Sequence, residues 1–137
     1  MIHNVWILNT NGICLLDRNY SSTDLDRNLV AGFVSAIESF SKKLTQRHVD
    51  SILMGDIRIL YIVGEKIIVA IAIDAEDDEE EIRRKVEALQ RTFVKMYENK
   101  IHLTEVDVFK DFTKIIDMVL YLDWNFEYDR KLQQKSK

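Results

Sequence analysis

The stretch VWILNTNGICLLDRNY, residues 5–20, decides how the rest of the chain can fold. Two apolar runs flank Asn11-Gly12, and these two residues tolerate the positive φ that a type I′ turn requires at both central positions. We therefore predict an antiparallel hairpin with strands over about residues 4–10 and 13–19. A phosphate loop is not indicated, because this turn leads into another strand and not into a helix N-terminus.

Three further strands are predicted in the middle of the chain. Gly55-Asp56 and Gly64-Glu65 both match the Gly-X pattern of a type II′ turn, and they separate strands over residues 51–54, 57–63 and 66–74. The last strand, KIIVAIAID, is apolar on both faces, which is typical of a central strand covered by helices above and below. The expected strand order is 2-1-5-4-3, so strands two and three form the edges.

Three segments carry the apolar spacing of amphipathic helices, over residues 24–45, 79–98 and 107–123. In the first helix we expect one apolar stripe to face the sheet: Leu25, Leu29, Phe33, Ile37, Phe40 and Leu44. The expected fold is α/β, of the α+β type. It is a three-layer α/β/α domain with the element order β-β-α-β-β-β-α-α, one helix on one face of the five-stranded antiparallel sheet and two helices on the other.

Gly32 lies inside the first predicted helix, where a glycine costs about 1 kcal/mol relative to alanine. Close approach of the helix to the sheet is the benefit we expect. Alternatively, Gly32 lies on the outer side of the helix and lets a partner come near.

The composition indicates one soluble domain, expected over residues 1–125, followed by a short polar and basic tail over 126–137. Cys14 is the only cysteine and sits in an apolar run, which predicts a buried thiol in a reducing, cytoplasmic setting. The longest apolar stretch, residues 67–73, is far shorter than the roughly 20 residues that span a bilayer. Polar residues from Asn9 onward interrupt the first apolar run, so a signal peptide is not indicated.

Charge and motif spacing give no sign of catalysis. The net charge is −4, and seven carboxylates lie between Asp74 and Glu81, without the alternation or glycine of a calcium loop. We interpret them as the acidic start of a helix. Basic residues are dispersed, which argues against nucleic-acid binding. His3, His48 and His102 lack metal-ligand spacing, and no nucleophile motif is present. We predict no enzyme activity, no cofactor and no metal.

Three stretches together resemble a known family. MIHNVWILNTNGICLLDRNY is similar to the start of clathrin-adaptor small chains, and the similarity resumes at RILYIVGEKIIVAIAID and VDVFKDFTKIIDMVLY. Over residues 1–122 the chain resembles a longin domain, the profilin-like fold of SNARE regulatory domains, tethering-complex subunits and adaptor small chains. The resemblance implies a non-enzymatic interaction domain for membrane traffic or control of Ras-like GTPases. Neither the coiled coil nor the membrane anchor of the SNARE branch follows, so we expect a stand-alone longin protein.

The expected partner is a protein: a second copy or another longin or roadblock-type domain, in a homo- or heterodimer, and a small GTPase or a coat or tether subunit. Membrane contact is expected only through these partners. The candidate partner-binding residues are Asp17, Arg18, Tyr20, His48, Val49, Ser51, Leu53 and Trp124. A profilin-like small-molecule sensor is the alternative. Inward positions other than Arg58 look apolar, which leaves little to orient a polar ligand.

Overall fold

The computed structural model describes residues 1–22, 25–102 and 107–122. The strands are β1 (Ile2–Asn9), β2 (Cys14–Asn19), β3 (Ser51–Met54), β4 (Ile57–Val63) and β5 (Ile67–Asp74), and the helices are α1 (Arg27–Thr45), α2 (Glu79–Tyr97) and α3 (Phe112–Asp117). The five strands form one antiparallel sheet in the order β2-β1-β5-β4-β3. The predicted fold class and strand order are therefore confirmed.

The sheet separates two apolar cores. Alternate residues of β5 point to opposite faces, so that Val69 and Ile71 join the core under α2 and α3, while Ala70 and Ala72 face α1. The first core is built around Phe93, whose ring centroid lies 5.0 Å from that of Phe112. Burying a side chain of this size stabilises the fold by about 1.5–3 kcal/mol. The second core is smaller, because alanines form much of its floor.

The β1–β2 turn differs from the prediction. Gly12 has a φ of +83°, but Asn11 does not have a positive φ, so the turn is not type I′. The carbonyl of Asn9 accepts from Gly12 N at 3.1 Å, and Asn9 N donates to Ile13 O at 2.9 Å, which closes a three-residue loop with a left-handed glycine. The side chain of Asn9 stabilises this longer loop, since its Oδ1 accepts from Asn11 N and Ile13 N at 2.9 and 3.0 Å.

The two later turns also differ from each other. At Gly55-Asp56 only the glycine has a positive φ, +64°, which is the pattern of the predicted type II′ turn. Gly64 has no positive φ, so a type II′ turn at this position is a wrong prediction. Gly64 instead permits close packing. A Cβ there would lie 2.6 Å from Nε2 of Gln90 in α2, which donates to the carbonyls of Ile62 and Ile67 at 3.1 and 3.2 Å.

Two helix predictions need correction at their ends. α1 begins at Arg27, three residues later than expected, because Asp26 is extended and caps the helix; its carboxylate accepts from Asn28 N and Leu29 N at 2.8 and 3.0 Å. The third helix is broken into a 3-10 turn at Asp107–Phe109, the short α3, and a π-helical turn at Met118–Leu122. This arrangement buries both Phe109 and Phe112 in the larger core.

Candidate functional site

At the β2 edge, the predicted partner-binding side chains contact the helices on both faces of the sheet. Asp17 forms an ion pair with Arg27 of α1. Arg18 points to the opposite face, where its Nε and Nη2 donate to the two carboxylate oxygens of Asp117 at 2.9 and 3.2 Å. The hydroxyl of Tyr20 donates to the same carboxylate. These three residues therefore connect β2 to both helical layers, and their role toward a partner stays a prediction.

Electrostatics at this edge favour the charged form of Asp117. Partial burial works against ionisation, but the hydrogen bonds from Arg18 and Tyr20 outweigh it and lower the pKa of Asp117. Burial and the hydrogen bond to this carboxylate raise the pKa of Tyr20. The guanidinium of Arg18 also lies 4.7 Å from the ring centroid of Tyr20, a cation–π contact. Charge-assisted bonds thus fix the side chains at the β2 edge.

The opposite edge is formed by β3, and a buried carboxylate holds its start. Glu38 of α1 is only 7% exposed. Its Oε2 accepts from Val49 N at 3.1 Å, and its Oε1 makes a hydrogen bond with Nδ1 of His48. Sequence reasoning missed Glu38. The available signal is its position four residues after the buried Val34, which places both residues on the same face of α1. His48 and Val49, both predicted partner-binding residues, are brought together by this side chain.

Arg83 of α2 holds the same segment from the other layer. Its Nη2 donates to the carbonyl of Asp50 at 2.9 Å, and its Nη1 donates to the carbonyl of Tyr61 at 3.0 Å. The short strand β3 is therefore fixed at its start by one side chain from each helical layer. This preorganisation lowers the entropy that the strand would lose on binding a partner.

The free side of β3 can be identified from its ladder. Tyr61 N donates to Asp50 O at 3.0 Å, and Ile52 pairs with Ile59. Because backbone groups alternate along an antiparallel strand, Asp50 and Ile52 direct theirs to β4, whereas Ser51 and Leu53 direct theirs outward. Within the part of the chain that the structure describes, no strand pairs with this outer side. The predicted edge residues Ser51 and Leu53 are thus those with outward-facing amides.

The large apolar side chains of α1 face away from the sheet, contrary to the prediction. Leu29, Phe40 and Leu44 are 67%, 64% and 70% exposed, whereas the buried positions are occupied by smaller side chains, among them Val30 and Val34. The physical reason is that α1 carries two apolar stripes, and the smaller one fits the shallow core above the alanines of β5. Ile37 is the one member of the predicted stripe that packs partly on this core. We define the outer face of α1 as Leu29, Phe33, Phe40 and Leu44, and Leu25, just before the helix, is also exposed.

Gly32 belongs to the exposed side of the helix. A Cβ built on it would meet nothing within 4 Å, so close approach of the helix to the sheet is not its role. Gly32 therefore lies on the outer side of the helix, which was the alternative prediction. On β3, Leu53 and Met54 are also about half exposed. Groups of exposed apolar side chains mark binding surfaces in soluble domains, and the outer face of α1 is such a group.

A half-open pocket of about 570 Å³ lies between the C-terminal half of α1 and the ends of β1, β4 and β5. Ser35, Ser39, Lys42 and the Glu38–His48 pair are among its lining residues. Asn9 and Glu38 in this lining are buried, so the expectation that inward positions are apolar apart from Arg58 is wrong. The volume lies within the range of small-molecule sites.

The described ranges also bear on metal binding, thiol chemistry and membrane insertion. No group of three or more His, Cys, Asp and Glu side chains among them is placed to hold a metal ion. Burial raises the pKa of the Cys14 thiol to about 11, so little of it is thiolate at neutral pH. None of the described helices has the length and apolar character needed to cross a membrane. Trp124 and the tail over 126–137 lie outside the described residues.

Comparison with known proteins defines the class of fold. No protein-family model matches the sequence, and no curated protein matches it. Among solved structures, the chain is similar to Myxococcus xanthus MglB, with a TM-score of 0.54 and 16% identity over 72% of this chain and 85% of that one. It is also similar to a roadblock/LC7 domain from Streptomyces avermitilis, with a TM-score of 0.52 and 13% identity over 68% and 86% of the two chains.

A third similarity covers nearly the whole chain. A chain of a homology model of the full-length AP-3 complex has a TM-score of 0.55 and 17% identity over 96% of this chain and 98% of that one. Roadblock domains and this AP-3 subunit have longin-like folds. The predicted resemblance to the longin domain is therefore confirmed at the level of the fold.

Proposed function

We propose that this chain is a non-enzymatic interaction domain that binds a small Ras-like GTPase or a coat or tether subunit, in regulation of the membrane-traffic kind. It acts in the cytoplasm and reaches membranes only through its partners. It works as a pair with a second domain of the same fold, in the simplest case a second copy. The similarity to MglB and to an AP-3 chain supports this class of function.

Two observations carry the proposal: the exposed apolar outer face of α1 and the open edge of β3. Full burial of a Leu or Phe side chain contributes about 1.5–3 kcal/mol, so several exposed ones leave a large free energy available to a binding partner. An open strand is best complemented by another open strand, because main-chain hydrogen bonds then give affinity and alternate side chains give specificity. Every copy of this chain supplies both features.

The two sheet edges would then serve different partners. β3 and the outer face of α1 join the two domains, which leaves the opposite edge at β2 for the GTPase, coat or tether subunit. Asp17, Arg18 and Tyr20 supply that edge with charge and an aromatic ring. Trp124 is assigned to partner binding from its sequence position alone.

Light scattering after size-exclusion chromatography tests the pairing. We expect the wild-type protein to have twice the mass of one chain, and Phe40→Ser/Leu44→Ser to have the mass of one chain. Because both side chains are exposed, the variant should keep the circular dichroism spectrum of the wild-type protein. Its free energy of unfolding in urea should lie within about 0.5 kcal/mol of that of wild-type monomer at high dilution. Met96→Ser/Met118→Ser is the matched control, since both methionines are about half exposed elsewhere. It should remain a dimer.

The choice of partner is tested by affinity capture from the native lysate, with the retained proteins identified by mass spectrometry. We expect a Ras-like GTPase or a coat or tether subunit among them. A strictly monomeric protein that retains none of these classes contradicts the proposal.

The cavity beside Glu38 favours a second candidate function, a small-molecule sensor. Several polar residues, among them Ser39 and Lys42, line a space of suitable size. A thermal-shift screen of nucleotides and metabolites separates the two functions. Reproducible stabilisation by one compound, lost in Ser39→Leu, would favour the sensor.

A further inference from the structure

Tyr61 of β4 carries a polar group into the smaller core. The residue is 1% exposed, and within the described ranges its hydroxyl makes no hydrogen bond. The main chain of Tyr61 is bonded on both sides, because its N–H donates to Asp50 O and its carbonyl accepts from Arg83. A buried hydroxyl without an acceptor has lost its hydrogen bonds to water and gained none in return, so it costs the fold free energy.

Glu38 is the carboxylate that can serve this hydroxyl. It shares the inner face of α1 with Val34, which packs in the same core as Tyr61. Burial and the negative charge of Glu38 raise the pKa of Tyr61 to about 12. Both carboxylate oxygens are engaged at the start of β3, however, where Oε1 bonds with His48 and Oε2 accepts from Val49 N–H. An acceptor for Tyr61 therefore lies in the same layer but is bonded elsewhere.

A turn of the Glu38 side chain toward Tyr61 exchanges one set of bonds for another. The hydroxyl gains a charge-assisted hydrogen bond in a buried setting, where such bonds are strong. His48 and Val49 lose their bonds to Glu38, but His48 is 50% exposed and Val49 is half-buried, so water can replace the carboxylate. The exchange costs little, because the buried hydroxyl depends on the protein for an acceptor and the two groups at the start of β3 do not.

We propose that Glu38 is a two-position switch, which caps the amide of Val49 in one position and accepts from the hydroxyl of Tyr61 in the other. The structure shows the capped position. In the second position the start of β3 is released, and the N–H of Val49 is available to a partner. This consequence rests on the proposed function, since His48 and Val49 are partner-binding residues only as predictions. The exchange itself is a property of the single chain.

Amide exchange of Val49, measured by NMR in dilute solution where pairing does not protect it, tests the switch. Tyr61→Phe removes the inner donor, so Glu38 should stay on Val49, and the amide should be protected several-fold more than in the wild-type protein. Glu38→Ala removes the cap and should give the fastest exchange. The wild-type protein should lie between the two variants. Circular dichroism verifies that each variant is folded, and the comparison of Tyr61→Phe with wild type does not need Glu38→Ala.

Tyr97→Phe is the matched control, because it removes the hydroxyl of a buried tyrosine in the larger core, on the opposite face of the sheet. It should leave the exchange of Val49 unchanged. Equal protection of Val49 in wild type and in Tyr61→Phe would overturn the switch. If the urea midpoint of Tyr61→Phe also falls, the hydroxyl has another partner, such as a buried water, and Glu38 stays on Val49.

Light scattering over a concentration series separates the switch from the proposed function. Because Tyr61→Phe holds Val49 capped, this variant should dimerise only at several-fold higher concentration than wild type. Greater protection of Val49 with unchanged dimerisation would support the switch and exclude the start of β3 from the interface. A strictly monomeric wild-type protein would overturn the pairing, and the exchange of Val49 would still decide the switch.

Discussion

Asp117 accepts hydrogen bonds from Arg18 of β2 and from Tyr20, the residue after this strand, and thereby ties the sheet edge to α3. Its pKa is lower in the folded protein than the ordinary value of 3.8. A carboxyl with a lowered folded pKa stabilises the fold fully above its unfolded pKa. The contribution is lost as the pH falls through the lowered folded value. The stability of the domain should therefore fall below about pH 4, in part because of this residue.

We expect Asp117→Asn to reduce the free energy of unfolding by about 1 kcal/mol near neutral pH. Arg18 and Asp117 are both more than a third exposed, so solvent screening limits the loss of stability to this size even though the ion pair is bidentate. Urea unfolding at neutral and at acidic pH measures it, and the difference from wild type should shrink in acid. Asp107→Asn is the control, because Asp107 is 84% exposed in its ion pair with Lys110. Equal losses from both variants would contradict this account.

Among the structural elements, β3 allows the most specific prediction. Leu53 N–H faces the open edge, so Leu53→Pro removes a donor that β4 does not use. We expect this variant to dissociate the pair while the monomer keeps its circular dichroism spectrum. Ile52→Pro is the matched comparison, since the Ile52 amide belongs to the β4 ladder, and it should destabilise the domain itself. A Leu53→Pro protein that remains dimeric would exclude β3 from the interface.

The strands were predictable from sequence, whereas the orientation of α1 was not. Turn residues such as Gly55 mark strand ends locally, and the apolar run of β5 shows that both faces are covered. α1 instead has two apolar stripes, and the periodicity of a helix does not say which one meets the sheet. The sizes of Ala70 and Ala72 on β5 decide it, and these residues lie far away in sequence. The contacts of Glu38 and Arg83 with the start of β3 are equally non-local.

In the whole molecule, side chains of both helical layers hold the two edges of the sheet. Asp17 and Arg18 of β2 form ion pairs with helices on opposite faces. β3 is held at its start by Glu38 and Arg83, and no described strand pairs with its outer side. An edge left open in a stable domain is a hazard unless it is used. This open edge and the exposed apolar side chains of α1 are the basis of the pairing proposed above.

Amide exchange measured by NMR at different protein concentrations tests this pairing most directly. The amides of Ser51 and Leu53 should be protected at least about tenfold in concentrated solution and should lose that protection on dilution or in Phe40→Ser/Leu44→Ser. The Ile52 amide, bonded to β4, should stay protected throughout. Fast exchange of Ser51 and Leu53 at every concentration, beside a protected Ile52, would show that the β3 edge stays open and would contradict the account.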